Sequence, residues 1–270
     1  MADFTDDELA GILADRASGR AEGAAEATVD VARVEDVAAG GVPSRLYVPE
    51  GARDAILYLH GGGFVLGDLV SHDGFARRLA AATGWAVLMP AYRLAPEHPW
   101  PAAAHDARSA SDWLEQQSFD RLVVAGDSAG SALAIGEALR VPERWVGQVQ
   151  VYPFVDPGGA TYDRELTGID LTVERCDLFW RMYLQGGDGD EALHVLAGSD
   201  LAGQPPALVH LAEIDVLTPT GHAYAARLRE AGVPVDVSVF PGVLHGFWRK
   251  TDNDQAAPAL DDLSAWLDRR

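Results

Sequence analysis

The sequence predicts an α/β fold: a mainly parallel central sheet flanked by helices on both faces, with a small helical cap. Three observations carry this. Short apolar runs such as Ala55–Leu59 alternate with longer amphipathic segments, the pattern of strands buried on both faces between covering helices. Glycine-rich loops follow two of those runs directly, His60-Gly61-Gly62-Gly63 after the first and Gly126-Asp127-Ser128-Ala129-Gly130 after residues 122–125. The chain has 270 residues and 48% hydrophobic content, enough to bury a substantial core, and reads as a single domain over 1–270.

In chain order, Thr5 and Glu8 fit a capping box that opens a helix reaching roughly Arg16. Residues 18–27 are rich in Ala, Gly and Glu and read as a mobile connection or a weak second helix. Residues 29–37 alternate apolar and polar side chains, as a half-buried strand does. Val42–Val48 is a second extended segment, close enough to pair antiparallel with the first. Strand and helix then alternate: strands at Ala55–Leu59, 85–89, 122–125 and 146–152, helices at 72–82, 102–117 and 131–139. The stretch 156–187 breaks the rhythm with Pro157, a Gly-Gly pair and a helix over Val173–Leu184 carrying Phe179, Trp180 and Tyr183. It is expected to sit above the sheet as a cap element, with residues 1–27 as the other. The alternation resumes with a strand at 207–211, a helix at 221–231, a strand at 233–240 and a helix at 257–267.

Charge and cysteine usage narrow the function classes. There are 41 acidic against 21 basic residues, a net charge of −20. That field repels nucleic acid and anionic membranes, so neither is an expected partner. Lys250 is the one lysine; every other basic side chain is arginine. The arginine bias fits the base composition of the source genome, and the acid surplus also fits a surface kept soluble at high salt. A lone cysteine, Cys176, excludes an intrachain disulfide and a cysteine-based zinc site. The acidic start lacks the positive end and apolar core of a signal peptide, and no run approaches a membrane span, so a cytoplasmic location is expected.

The chemistry lies in three post-strand loops. Ser128 sits in G-x-S-x-G between a strand and a helix, a sharp turn that lifts the hydroxyl above the sheet edge. A serine needs a base to take its proton and an acid to orient that base. His245, after Phe240-Pro241-Gly242, is the histidine in the right order and loop. Asp215 is the candidate acid, with Glu213, two residues earlier, as its competitor. Three consecutive glycines let a backbone approach a substrate closely, so the N–H groups of Gly62 and Gly63, with that of Ala129, would hold an oxyanion. The glycine spacing matches neither G-x-x-x-x-G-K-[ST] nor G-x-G-x-x-G, and no histidine pair stands at H-E-x-x-H spacing; no cofactor and no metal are expected.

Together these motifs resemble the bacterial hormone-sensitive-lipase-like esterases of the α/β-hydrolase superfamily. The resemblance runs over about 55–248. It rests on His60-Gly61-Gly62-Gly63-Phe64, on Tyr92-Arg93-Leu94-Ala95-Pro96-Glu97-His98-Pro99-Trp100-Pro101, on Gly126-Asp127-Ser128-Ala129-Gly130, on Gln204-Pro205-Pro206 and on His245-Gly246-Phe247. It implies the α/β-hydrolase fold and a triad of Ser128, Asp215 and His245. It also implies cofactor-free hydrolysis of small esters with short to medium acyl chains, by a monomer or homodimer. Arg93, Glu97 and the prolines are read as fixing a turn beneath the site. Val216 stands where the family usually has proline, Thr218-Pro219-Thr220 replaces a charged run, and only 59 residues precede His60. The last departure implies a short N-terminal cap and a more open pocket. An aryl formamidase or amidase on the same triad, or a non-catalytic ligand-binding member of the superfamily, are the alternatives.

Overall fold

The computed structural model describes residues 4–189 and 193–270; Met1, Ala2 and Asp3, part of the expected 1–27 segment, lie outside them. Thr5 opens helix α1 (Asp6–Ala25) with the expected reciprocal cap: its Oγ1 accepts the Glu8 N–H at 3.1 Å, and Glu8 accepts the Thr5 N–H at 2.7 Å. The helix runs past Arg16 to Ala25, so residues 18–25 are neither a mobile connection nor a second helix. Composition hid this because α1 is held by contacts remote in sequence. Gly23 lies so close to Val70 and Ser71 that a Cβ there would collide with their backbone, and Arg20 pairs with Asp68.

Strands β1 (Arg33–Ala39) and β2 (Val42–Val48) form an antiparallel hairpin. Its two-residue turn is Gly40-Gly41, both at positive φ. The first strand begins four residues later than its alternation predicts, since pairing starts at Arg33↔Val48. There follow β3 (Ala55–Leu59), α2 (Asp73–Thr83), β4 (Ala86–Pro90), α3 (Ala102–Glu115), β5 (Leu122–Asp127), α4 (Ala129–Arg140) and β6 (Gly147–Val151). The chain ends with α5 (Val173–Leu184), β7 (Ala207–Ile214), α6 (Thr218–Glu230), β8 (Val235–Leu244) and α7 (Ala256–Leu267).

One eight-stranded sheet results, in the order β1-β2-β4-β3-β5-β6-β7-β8. The six strands from β4 to β8 are parallel, and β2 joins them antiparallel. Successive residues of β3 divide between two cores: Ile56 and Tyr58 pack with Phe75, Leu79, Leu263 and Trp266 of α2 and α7. Leu57 and Leu59 join Ala107, Leu114, Leu133 and Ile135 of α3 and α4 on the other face. This is why the strands read as continuous apolar runs.

Register places the C-terminal ends of these strands together. Leu59 pairs with Gly126, so the loops after β3 and β5 start side by side. Ile214 pairs with Leu244, so the residues after β7 and β8 do the same. Both of the latter strands extend beyond the sequence-read ends at 211 and 240, through an irregularity at Ala212/Ile214.

Candidate active site

Ser128 occupies the turn between β5 and α4 with φ 53° and ψ −120°, a conformation costly for a side-chain-bearing residue. The turn is held by Ser128 N–H donating to Val151 O at 2.8 Å and by Ser131 N–H donating to Ser128 O at 3.0 Å. It closes because Gly126 and Gly130 have no Cβ. One at Gly126 would overlap the Gly130 carbonyl, and one at Gly130 would overlap the Leu59 carbonyl.

Asp215 and His245 leave the paired ends of β7 and β8 directly. The His245 ring has Nδ1 2.7 Å from Asp215 Oδ2 and Nε2 3.0 Å from Ser128 Oγ. The Asp215 side chain is fully buried, and its Oδ1 accepts the Leu217 N–H at 3.0 Å. The structure thus brings the three sequence-predicted side chains into one hydrogen-bonded line. Glu213, the competing carboxylate, is exposed and instead accepts the Gly242 N–H at 2.8 Å, bracing the bulged end of β8.

Gly62 and Gly63 border the same cavity of about 160 Å³ as Ser128 and His245, at φ 120° and 60°. Among the described residues, neither spends its backbone N–H on a hydrogen bond. Ala129 is the first residue of α4, where backbone N–H groups and the helix dipole favour negative charge. Helix α5 lies over this loop. A Cβ on Gly63 would strike the Phe179 ring, while Phe64 stacks on Tyr183 at 3.8 Å between centroids. Phe154 stacks on Trp180 at 4.2 Å.

Sequence reading missed the polar layer beneath these loops. Asp127 is 1% exposed and accepts from the Tyr58 hydroxyl at 2.6 Å and the Gly61 N–H at 2.7 Å. The Tyr152 ring lies 4.4 Å from that of His245. His60 is buried against Tyr92, and burial pushes its pKa down, keeping the ring neutral. The only available signal was that Asp127 adjoins Ser128. In the segment 92–103, Arg93 forms a bidentate pair with Asp106, and Glu97 takes two hydrogen bonds from Arg16, a residue the motif does not include. Among the described residues, no group of three or more His, Cys, Asp or Glu side chains is placed to hold a metal ion.

A serine–histidine–aspartate line at the C-terminal edge of a parallel sheet agrees with the family comparison: the model for the alpha/beta hydrolase fold matches residues 56–249. The chain belongs to the alpha/beta hydrolase fold family. This α/β-hydrolase-fold chain is 36% identical over 231 residues to "Carboxylic ester hydrolase LipN" of Mycobacterium tuberculosis, covering 77% of itself and 61% of that relative. It is 37% identical over 228 residues to "Ethyl acetate hydrolase" of Pseudomonas putida, covering 77% of itself and 72% of the relative. Among solved structures it resembles an esterase of the bacterial hormone-sensitive lipase family, with a TM-score of 0.87, 26% identity, and coverage of 98% and 99% of the two chains. No helix among the described residues is long and apolar enough to cross a membrane.

Proposed function

We propose that the chain is a serine carboxylesterase that hydrolyses esters with short to medium acyl chains through an acyl-enzyme. The observation that carries this is the line from Asp215 through His245 to Ser128 Oγ, opening into a cavity walled by Gly62 and Gly63. In this reading Ser128 Oγ attacks the ester carbonyl while neutral His245 takes its proton at Nε2. Asp215 accepts from Nδ1, fixing the tautomer and stabilising the imidazolium. The N–H groups of Gly62, Gly63 and Ala129 hold the developing oxyanion. His245 then protonates the departing alcohol. Water, activated by the same histidine, releases the acid and restores Ser128.

Two further points support the substrate class. The cavity is small, about 160 Å³, and Leu66, Ile169, Leu171, Phe179 and Leu244 form an apolar part of its lining, suited to a short acyl chain, beside the charged Asp170, Arg175 and Arg249. A relative described as an ethyl acetate hydrolase aligns with most of the chain. The test is hydrolysis of p-nitrophenyl esters from acetate to palmitate beside Ser128→Ala. Activity highest on short chains and reduced by roughly 10⁴-fold or more in the variant is expected. Rates unchanged in Ser128→Ala would refute the assignment, and a preference for aryl formamides over esters would move the chain to that substrate class.

A further inference from the structure

A charge pair behind Ser128 has no part in the proton transfers just described. Asp127, the last residue of β5, ties three parts of the site together. It precedes Ser128 in the chain. It accepts the Gly61 N–H, immediately before Gly62 and Gly63. Its Oδ2 lies 3.5 Å from the hydroxyl of Tyr152, whose ring packs on His245. A buried negative charge at this point opposes an oxyanion forming on the loop it anchors. Hydroxyls and one N–H solvate that charge without cancelling it. Among the described residues, the cation paired with Asp127 is Arg249, whose Nε lies 3.4 Å from Oδ2. That Nε is buried and makes no hydrogen bond, while the guanidinium also faces the Tyr152 hydroxyl. Arg249 follows His245 by four residues and borders the cavity with it.

We infer that Arg249 is a positioning residue for the reaction: it neutralises Asp127, which can then anchor the oxyanion loop without opposing the transition-state charge. The inference rests on the ester-hydrolase reading above. Arg249 acts through Asp127 and takes no proton.

Three variants test it with p-nitrophenyl acetate. Arg249→Met keeps the stem and removes the charge. Its kcat is expected to fall by roughly ten- to a hundredfold while KM stays within about twofold, because only transition-state charge is affected. The double variant Arg249→Met with Asp127→Asn removes both charges, and the Asn carbonyl still accepts from Tyr58 and Gly61. It is expected to recover kcat to within about threefold of the parent. A role in packing alone predicts the reverse, with the double variant worse than the single. Undiminished kcat in folded Arg249→Met, or a folded double variant that stays tenfold or more down, overturns the inference. If Arg249→Met does not fold, the double variant decides by the same threshold. If neither folds, Arg249→Lys decides: near-parental kcat supports a charge role and a tenfold loss refutes it. Labelling of Ser128 by a fluorophosphonate in the parent protein separates the two levels. An unlabelled Ser128 would sink the hydrolase reading itself rather than the part given to Arg249.

Discussion

Asp215 and Glu213 show what two residues of separation decide. Glu213 is the penultimate residue of β7 and Asp215 lies just past its end. Regular alternation would put side chains two residues apart on one face; the irregularity at Ala212/Ile214, with the end of the strand at Ile214, sends them to different surroundings. Asp215 is buried and meets His245 Nδ1, while Glu213 is exposed and caps a bulge. Asp215→Asn is therefore expected to lower kcat by roughly 10⁴-fold with little change in KM, through loss of the correct histidine tautomer. Glu213→Gln should leave kcat within about twofold of the parent. Equal losses in the two variants, measured on one ester, would show that the bulge rather than the acid governs the rate. Ser128 was legible because its motif is local: the turn, its two obligatory glycines and the flanking apolar runs are contiguous. Asp127, Tyr58, Tyr152 and Arg249 were not, because they are brought together from β3, β5, the end of β6 and the loop after β8.

Helix α1 makes the same point at the scale of an element. One of its side chains, Ile12, is fully buried, so the apolar stripe that normally announces a packed helix is weak. What fastens it is Arg16, which donates to Val65 O at 2.6 Å and Ala95 O at 2.6 Å and pairs with Glu97 at 2.7 Å. This single side chain joins α1 to the loop carrying Phe64 and to the turn of the segment 92–103. Arg16→Ala is expected to cost about 1–3 kcal/mol of stability, since it leaves two carbonyls and a carboxylate without their donor. Limited proteolysis should then cut within residues 6–25 sooner than in the parent. Unchanged cleavage kinetics would mean that Gly23 packing and the Glu26–Arg78 pair hold the helix without it. By contrast α5, with the same boundaries in sequence and structure, was legible throughout. Thr172 caps it, and its aromatic face is contiguous.

The whole molecule is acidic, yet its pH sensitivity should come first from histidines in the interior. His60, His72 and His210 are all buried, and burial pushes each pKa down, His72 farthest. The unfolded chain takes up protons at these histidines near pH 6.5, where the folded chain refuses them. Stability therefore rises with pH across that window and falls as pH drops below about 6.5, by up to about 1.4 kcal/mol per pH unit for each histidine that stays neutral. Urea midpoints at pH 7.5, 6.5 and 5.5, taken in about 1 M salt to screen surface repulsion, should decline with acid. His72→Asn should flatten that decline; an unchanged slope would show that another group sets it.

The order of strands and helices, the loops that carry Ser128, Asp215 and His245, and the glycines that let two of those loops turn were determined by the sequence itself. Each is written in contiguous residues, where apolar periodicity and steric demand act over a few bonds. Tertiary structure alone decided which carboxylate meets His245, how far α1 extends, and what lies behind Ser128. Those outcomes follow from strand register and from side chains that meet across dozens of residues. A one-residue slip between β7 and β8 would turn Asp215 away from His245 with the local sequence unchanged, because side chains alternate faces along a strand.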